Sequence, residues 1–209
     1  MTTMIIIVGF ILVVLIGFID VLKRRFRVIE QIDFANVYRN KFIDLSNKFF
    51  QNYDRFSHSG NLDNELYVWL TMNVNKIQSY LGSFGIMSYK PAYQNYMINN
   101  YQIIINTLPK FREGKIEHFD VASADDCLLR YIGHLEEVGK ETIKNLKNPI
   151  IWFREGIKII ISYPIIILSW FGIFSRRTVG TITDSPVFKI IAGLIALVTL
   201  ASGLVTIFV

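Results

Sequence analysis

Hydrophobic positions fall into three apolar runs separated by a longer stretch of mixed polarity. The first run, Met4 to Leu22, is interrupted only by Asp20 near its end and is followed at once by Lys23, Arg24, Arg25 and Arg27. A hydrocarbon core takes about 20 residues of helix. A cleavable leader carries its basic residues before the apolar run, not after it. Residues 1–22 are therefore expected to form an uncleaved transmembrane anchor. The basic cluster after it would stay on the cytoplasmic side and, like Arg176 and Arg177, contact lipid headgroups. Ile190 to Val209 is uncharged, rich in small residues and predicted to be a second transmembrane helix. Between them, Pro149 to Phe174 starts with Arg154, Glu155 and Lys158, becomes apolar, contains Pro164 and is closed by Arg176 and Arg177. Residues 149–177 are expected to be an interfacial or re-entrant segment broken at Pro164, with a short full span as the alternative. Residues 178–189 would connect it to the last helix.

Residues 23–148 have ordinary globular polarity. No Gly or Pro occurs from Val21 to Ser59, so the anchor helix is expected to continue to about Tyr53. Ile29, Ile32, Val37, Phe42, Leu45, Phe49, Phe50 and Tyr53 recur at helical spacing and suggest its inner stripe. Ser57 to Asn61 reads as a loop around His58. A helix from Leu62 to Leu81 would bury Leu66, Trp69, Leu70, Val74, Ile77 and Leu81, with Gly82 as its left-handed stop. Lys90-Pro91 predicts the start of a third helix ending near Leu108. On it Tyr93, Met97 and Tyr101 would share a face. Ser123 with Asp126 resembles a capping arrangement opening a last helix to about Leu146, closed by Asn148-Pro149. The expected fold is an all-α membrane protein. Its N-terminal anchor would run on into a cytoplasmic helical bundle, followed by a proline-broken segment and a C-terminal span.

Composition fits this picture. Hydrophobic residues make up 52% of 209, charged residues 19%, and the net charge is +5. Such a chain is too apolar to be intrinsically disordered. One cysteine excludes a disulfide scaffold and a cysteine-rich zinc site. Cys127 reads as a core thiol. Asp125 and Asp126 read as acidic residues favouring a first helical turn. No phosphate loop, nucleophile elbow or zinc-protease motif is present. No catalytic, metal-binding or cofactor-binding residues are assigned, and no nucleic-acid partner is expected.

Two groups of residues invite a functional reading. Asp20, Arg154, Glu155, Lys158 and Pro164 lie at the edge of the apolar segments and are candidates for a membrane pathway or gate. Tyr89, Tyr93, Tyr96 and Tyr101 cluster among asparagines and are candidates for a partner surface. Arg112 precedes His118 by six positions, a spacing that resembles the Arg…His pattern of HEPN ribonucleases. In that family the pair meets its counterpart from a second protomer at a composite RNA-cleaving site. The similarity extends over seven residues and includes Gly114.

The functional expectation is a non-enzymatic, multi-pass protein of a bacterial inner membrane. Its bundle would bind a protein partner or signal. Its membrane part would anchor it or, on homo-oligomerisation, permeabilise the bilayer, as a stress or phage-defence effector does. The alternatives are a membrane-tethered HEPN-like ribonuclease using Arg112 and His118, and a structural subunit of a larger envelope complex.

Overall fold

A computed structural model describes residues 2–51, 53, 60–90, 95–170, 181–182, 185–190 and 193. The chain is mostly helical. Its elements are α1 (Thr2–Gln51), α2 (Asn64–Leu81), a 3-10 turn (Gly82–Gly85), β1 (Ile86–Tyr89), β2 (Ile98–Gln102), α3 (Ile103–Arg112), α4 (His118–Leu146) and α5 (Pro149–Trp170). It divides into two compact units, one of residues 1–27 with 139–209 and one of residues 28–138. The long helices α1 and α4 contribute to both.

In the unit of residues 28–138, α1 supplies Ala35, Tyr38, Phe42, Leu45 and Phe49 to the core. This three-four alternation is the spacing of a buried helical seam. Phe42, Leu45 and Phe49 of the predicted stripe lie in it, and Ile32, Phe50 and Tyr53 pack against it. Val37 and Ile29 lie on the exposed side, because the aromatic-rich row beginning at Ala35 buries more area. Helix α2 starts where expected. Asp63 accepts the Leu66 N–H at 3.1 Å and the Lys48 ammonium at 2.7 Å, satisfying an orphan donor of the first turn. The helix stops at Gly82, whose φ of +51° is readily reached only without a Cβ. Its face contributes Tyr67, Leu70, Ile77 and Leu81, while Leu66, Trp69 and Val74 pack at the margin.

The predicted third helix is helical only from Ile103 on among the described residues, and residues 98–102 of it are strand. Ile86–Tyr89 and Ile98–Gln102 form an antiparallel hairpin, pairing Ile86 with Gln102, Met87 with Tyr101 and Tyr89 with Ile98. Asparagines are poor in helix interiors because their side chains compete for the backbone. Asn100 takes a φ of +57° where the register shifts, a conformation asparagine tolerates better than most residues. Met97 and Tyr101 therefore share no helical face. Helix α3 begins after the hairpin and passes through Pro109 to Arg112, rather than ending before it. Burial of Ile104, Leu108 and Phe111 on both sides of the proline favours continuity.

Helix α4 also starts earlier than predicted, at His118. Asp120 lies in its first turn and accepts the Glu117 N–H at 3.2 Å. Ser123 and Asp126 thus sit inside the helix and cap nothing. Asp125 pairs with Arg39 of α1 through two bonds, 2.5 and 2.9 Å long. Cys127 lies in the core, where burial pushes its thiol up.

In the unit of residues 1–27 and 139–209, the turn at Asn148 leads into α5. Asn148 accepts the Ile150 N–H at 3.0 Å, and Pro149 occupies a first-turn position that needs no donor. The break expected at Pro164 does not occur, and α5 stays helical to Trp170. Among the described residues no helix is long and apolar enough to cross a membrane. The apolar part of α1 runs into Asp20, Lys23 and Arg24, and α5 carries Arg154, Glu155 and Lys158.

Candidate functional site

Helices α1 and α5 meet through glycine. A Cβ on Gly17 would strike the Trp152 carbonyl and lie 2.6 Å from the Gly156 nitrogen. One on Gly156 would strike the Val13 carbonyl. Val13 thus meets Gly156, and Gly17 meets both Trp152 and Gly156, backbone against backbone. Phe153 and Ile157 pack against Val13, Val14 and Ile161 beside this crossing. The Phe10 ring lies tilted against Phe153 at 5.0 Å, and Phe18 meets Trp152 at 4.8 Å. Trp152 donates its indole N–H to the Asn145 carbonyl at 3.1 Å, tying α5 to the last turn of α4.

Four charges gather just beyond the crossing. Arg24 forms an ion pair with Asp20 at 2.6 Å and donates a hydrogen bond to Glu155 at 2.7 Å. Arg154 bonds the other Glu155 oxygen at 2.9 Å. The Glu155 side chain is 8% exposed, so a buried carboxylate is held by two guanidiniums whose outer parts reach solvent. Two acids and two bases neutralise one another here. The candidate gating residues Asp20, Arg154 and Glu155 are thus brought together, with Arg24 as the centre that sequence reading had assigned to lipid headgroups. Lys158 lies half-buried one turn further along α5, and its carbonyl accepts the Ser162 hydroxyl at 2.6 Å.

A second polar cluster lies under the hairpin. Tyr89 donates to Asp120 at 3.0 Å, and Lys110 donates to Asp120 at 2.7 Å and to Tyr89 at 2.9 Å. The Tyr101 ring stacks on Tyr89 at 4.4 Å. Asp120 is 1% exposed. Burial would lower the Lys110 pKa, but its bonds to Asp120 and Tyr89 prevail and hold the ammonium above the ordinary lysine range. Burial pushes the Tyr89 hydroxyl up. No local pattern announces this cluster, because Lys110 and Asp120 are ten positions apart across a turn and the hairpin brings Tyr89 to them. Its groups are saturated by one another, which is the behaviour of a structural pin.

The four tyrosines separate. Tyr89 is buried, Tyr101 is partly covered by the stack, and Tyr96 is exposed. Tyr93, with His58, Arg176, Arg177 and nearly all of Ile190–Val209, lies outside the described residues. Arg112 and His118 contact different aromatics. The Arg112 guanidinium sits 4.8 Å over the Tyr67 ring, while His118 stacks on Phe50 at 4.0 Å. Among the described residues no three His, Cys, Asp or Glu converge as metal ligands.

The chain matches no protein-family model, no curated protein and no solved structure.

Proposed function

We propose that this chain is a non-enzymatic membrane protein. In this reading, the first part of α1 and the glycine-packed α5 are embedded in a bilayer, and the helical unit of residues 28–138 stands on the cytoplasmic side to receive a protein partner or signal. The observation that carries the reading is the exposure of α1. Ile7, Val8, Phe10, Ile11, Leu12, Leu15, Ile16 and Ile19 are all exposed, and Met4 is 73% exposed. Three consecutive exposed positions, 10 to 12, sweep about 200° around a helix. Among the described residues up to Ile19, those covered are Val13, Val14, Gly17 and Phe18, which lie against α5. A surface that is apolar nearly all round needs lipid or protein against it.

The polar groups fit the same placement. Neutralisation among Asp20, Arg24, Glu155 and Arg154 at one end lowers the cost of placing that end against a membrane surface. Trp152 lies at the same level, where indole rings favour the lipid–water boundary. Close backbone approach at glycine is a recurrent way for helices to associate in lipid, where apolar burial gives no drive of its own. The mutual neutralisation of the gating candidates favours an anchor over a standing pathway. The asymmetry of Lys23, Arg24, Arg25 and Arg27 favours a cytoplasmic position for the larger domain.

The test is the mass and composition of the particle released from membranes by a mild detergent. The reading expects the chain to resist an alkaline carbonate wash and then to elute with stoichiometric copies of itself or of another protein. A homo-oligomer that also raises vesicle conductance would extend the role to permeabilisation. Release by carbonate, or elution as a lone monomer, would contradict the proposal.

A further inference from the structure

We propose that the last turns of α4 and the basic turn of α1 form one collar that binds the phosphates of anionic lipid headgroups. The inference rests on the membrane reading above and adds a lipid class to it. Residues 139–148 contain Lys140, Lys144 and Lys147, and Glu141 is their one acidic residue. Lys140 and Lys144, four positions apart, share one face of α4, and Lys147 follows in the turn just after it. All three are exposed, as are Lys23 and Arg27 on α1. These five form no ion pair among the described residues. Arg24, by contrast, is occupied by Asp20 and Glu155.

Two contacts hold the two stripes at one level. Arg25 donates to the Gly139 carbonyl at 3.4 Å, joining the basic turn of α1 to the start of the lysine stripe. At the other end, Trp152 links Asn145 to Phe18, where the exposed apolar part of α1 ends. The lysines therefore climb from the basic turn toward the apolar boundary. An anionic bilayer presents the matching sequence of layers, phosphate outside and hydrocarbon inside. Exposed Phe26, Ile143 and Ile150 intersperse apolar contacts among the cations. A lysine near an anionic membrane surface strengthens binding by about fivefold, so three lysines contribute on the order of a hundredfold.

The experiment uses the full chain in a neutral detergent, titrated with short-chain phosphatidylglycerol or phosphatidylcholine while its thermal midpoint is followed. Phosphatidylglycerol is expected to raise the midpoint at far lower concentration than phosphatidylcholine. The triple variant Lys140→Gln, Lys144→Gln, Lys147→Gln should need on the order of a hundredfold more phosphatidylglycerol, with its response to phosphatidylcholine unchanged. Equal responses to the two lipids, or an unchanged triple variant, would overturn the collar. So would the same rise with inorganic phosphate or a single-stranded oligonucleotide, which would mark a general polyanion surface. Flotation of the chain with phosphatidylcholine vesicles tests the underlying membrane reading separately. Failure to float overturns that reading, whereas flotation without phosphatidylglycerol preference overturns the collar alone.

Discussion

Gly17 of α1 and Gly156 of α5 bring two helix backbones into direct contact, and neither position has room for a Cβ. Adding one methyl group there forces the helices apart and uncovers Phe153 and Ile157. Gly17→Ala and Gly156→Ala are each expected to destabilise the chain by about 1–3 kcal/mol. Two other glycines give the contrast. A Cβ at Gly9 or Gly133 would meet nothing within 4 Å. Gly133→Ala on the exposed side of α4 should stabilise by about 0.5–1 kcal/mol through helix propensity. Thermal unfolding of the three variants in one detergent checks both directions. An equal response at all three positions would remove the close crossing.

Glu155 organises the charges below that crossing. Glu155→Ala removes the shared acceptor of Arg24 and Arg154. Both guanidiniums can reach solvent, so the expected loss is about 1.5–3 kcal/mol rather than that of a stranded buried charge. Lys147→Ala, at an exposed position outside the cluster, should cost less. Denaturation midpoints of the two variants decide the order, and a larger loss for Lys147→Ala would show that Glu155 is not the organising group.

Asp120 should be the most sensitive polar position of the hairpin. Asp120→Ala leaves Lys110 and Tyr89 under the sheet with only each other, for an expected loss of about 2–3 kcal/mol. The cluster also sets a pH dependence. Lys110 and Tyr89 both titrate higher in the folded chain than in the unfolded one. Their contribution is complete below the unfolded values, which lie near about 10. It is lost as pH rises through the folded ones. Tyr131, pushed up to about 12 by burial, adds to the same trend. Stability should therefore be level near neutrality and fall above about pH 10, less steeply in Lys110→Met. Circular dichroism melts across that range test the sign.

Much of this architecture is legible from residue spacing, and the failures have local causes. The α2 stop at Gly82 and the α4 to α5 turn at Asn148-Pro149 follow from backbone chemistry that depends on a residue or two. The hairpin was hidden because Tyr89, Ile98 and Tyr101 suit either a buried helix or a strand. The deciding contact, Tyr89 with Lys110 and Asp120, is tertiary. Pro109 and Pro164 both read as breaks, yet α3 and α5 continue through them. Neutralisation of Glu155 by Arg24 joins positions 131 apart in sequence, and no local pattern announces it.

Arg112 and His118 rest on separate rings, Tyr67 and Phe50. Arg112→Ala should thus behave as the loss of one cation–π contact, about 0.5–1 kcal/mol. Cellular RNA after induction should be the same for this variant and the unaltered chain. RNA loss that depends on Arg112 would instead establish the ribonuclease alternative.

The central claim is that a membrane separates the start of α1 from the helical domain. Single cysteines at Met4→Cys or Glu136→Cys, in a Cys127→Ala background, can be probed in intact cells with an impermeant maleimide. The account predicts that Met4→Cys reacts from outside, while Glu136→Cys reacts only after the membrane is opened. Reaction of both positions from the same side would contradict it.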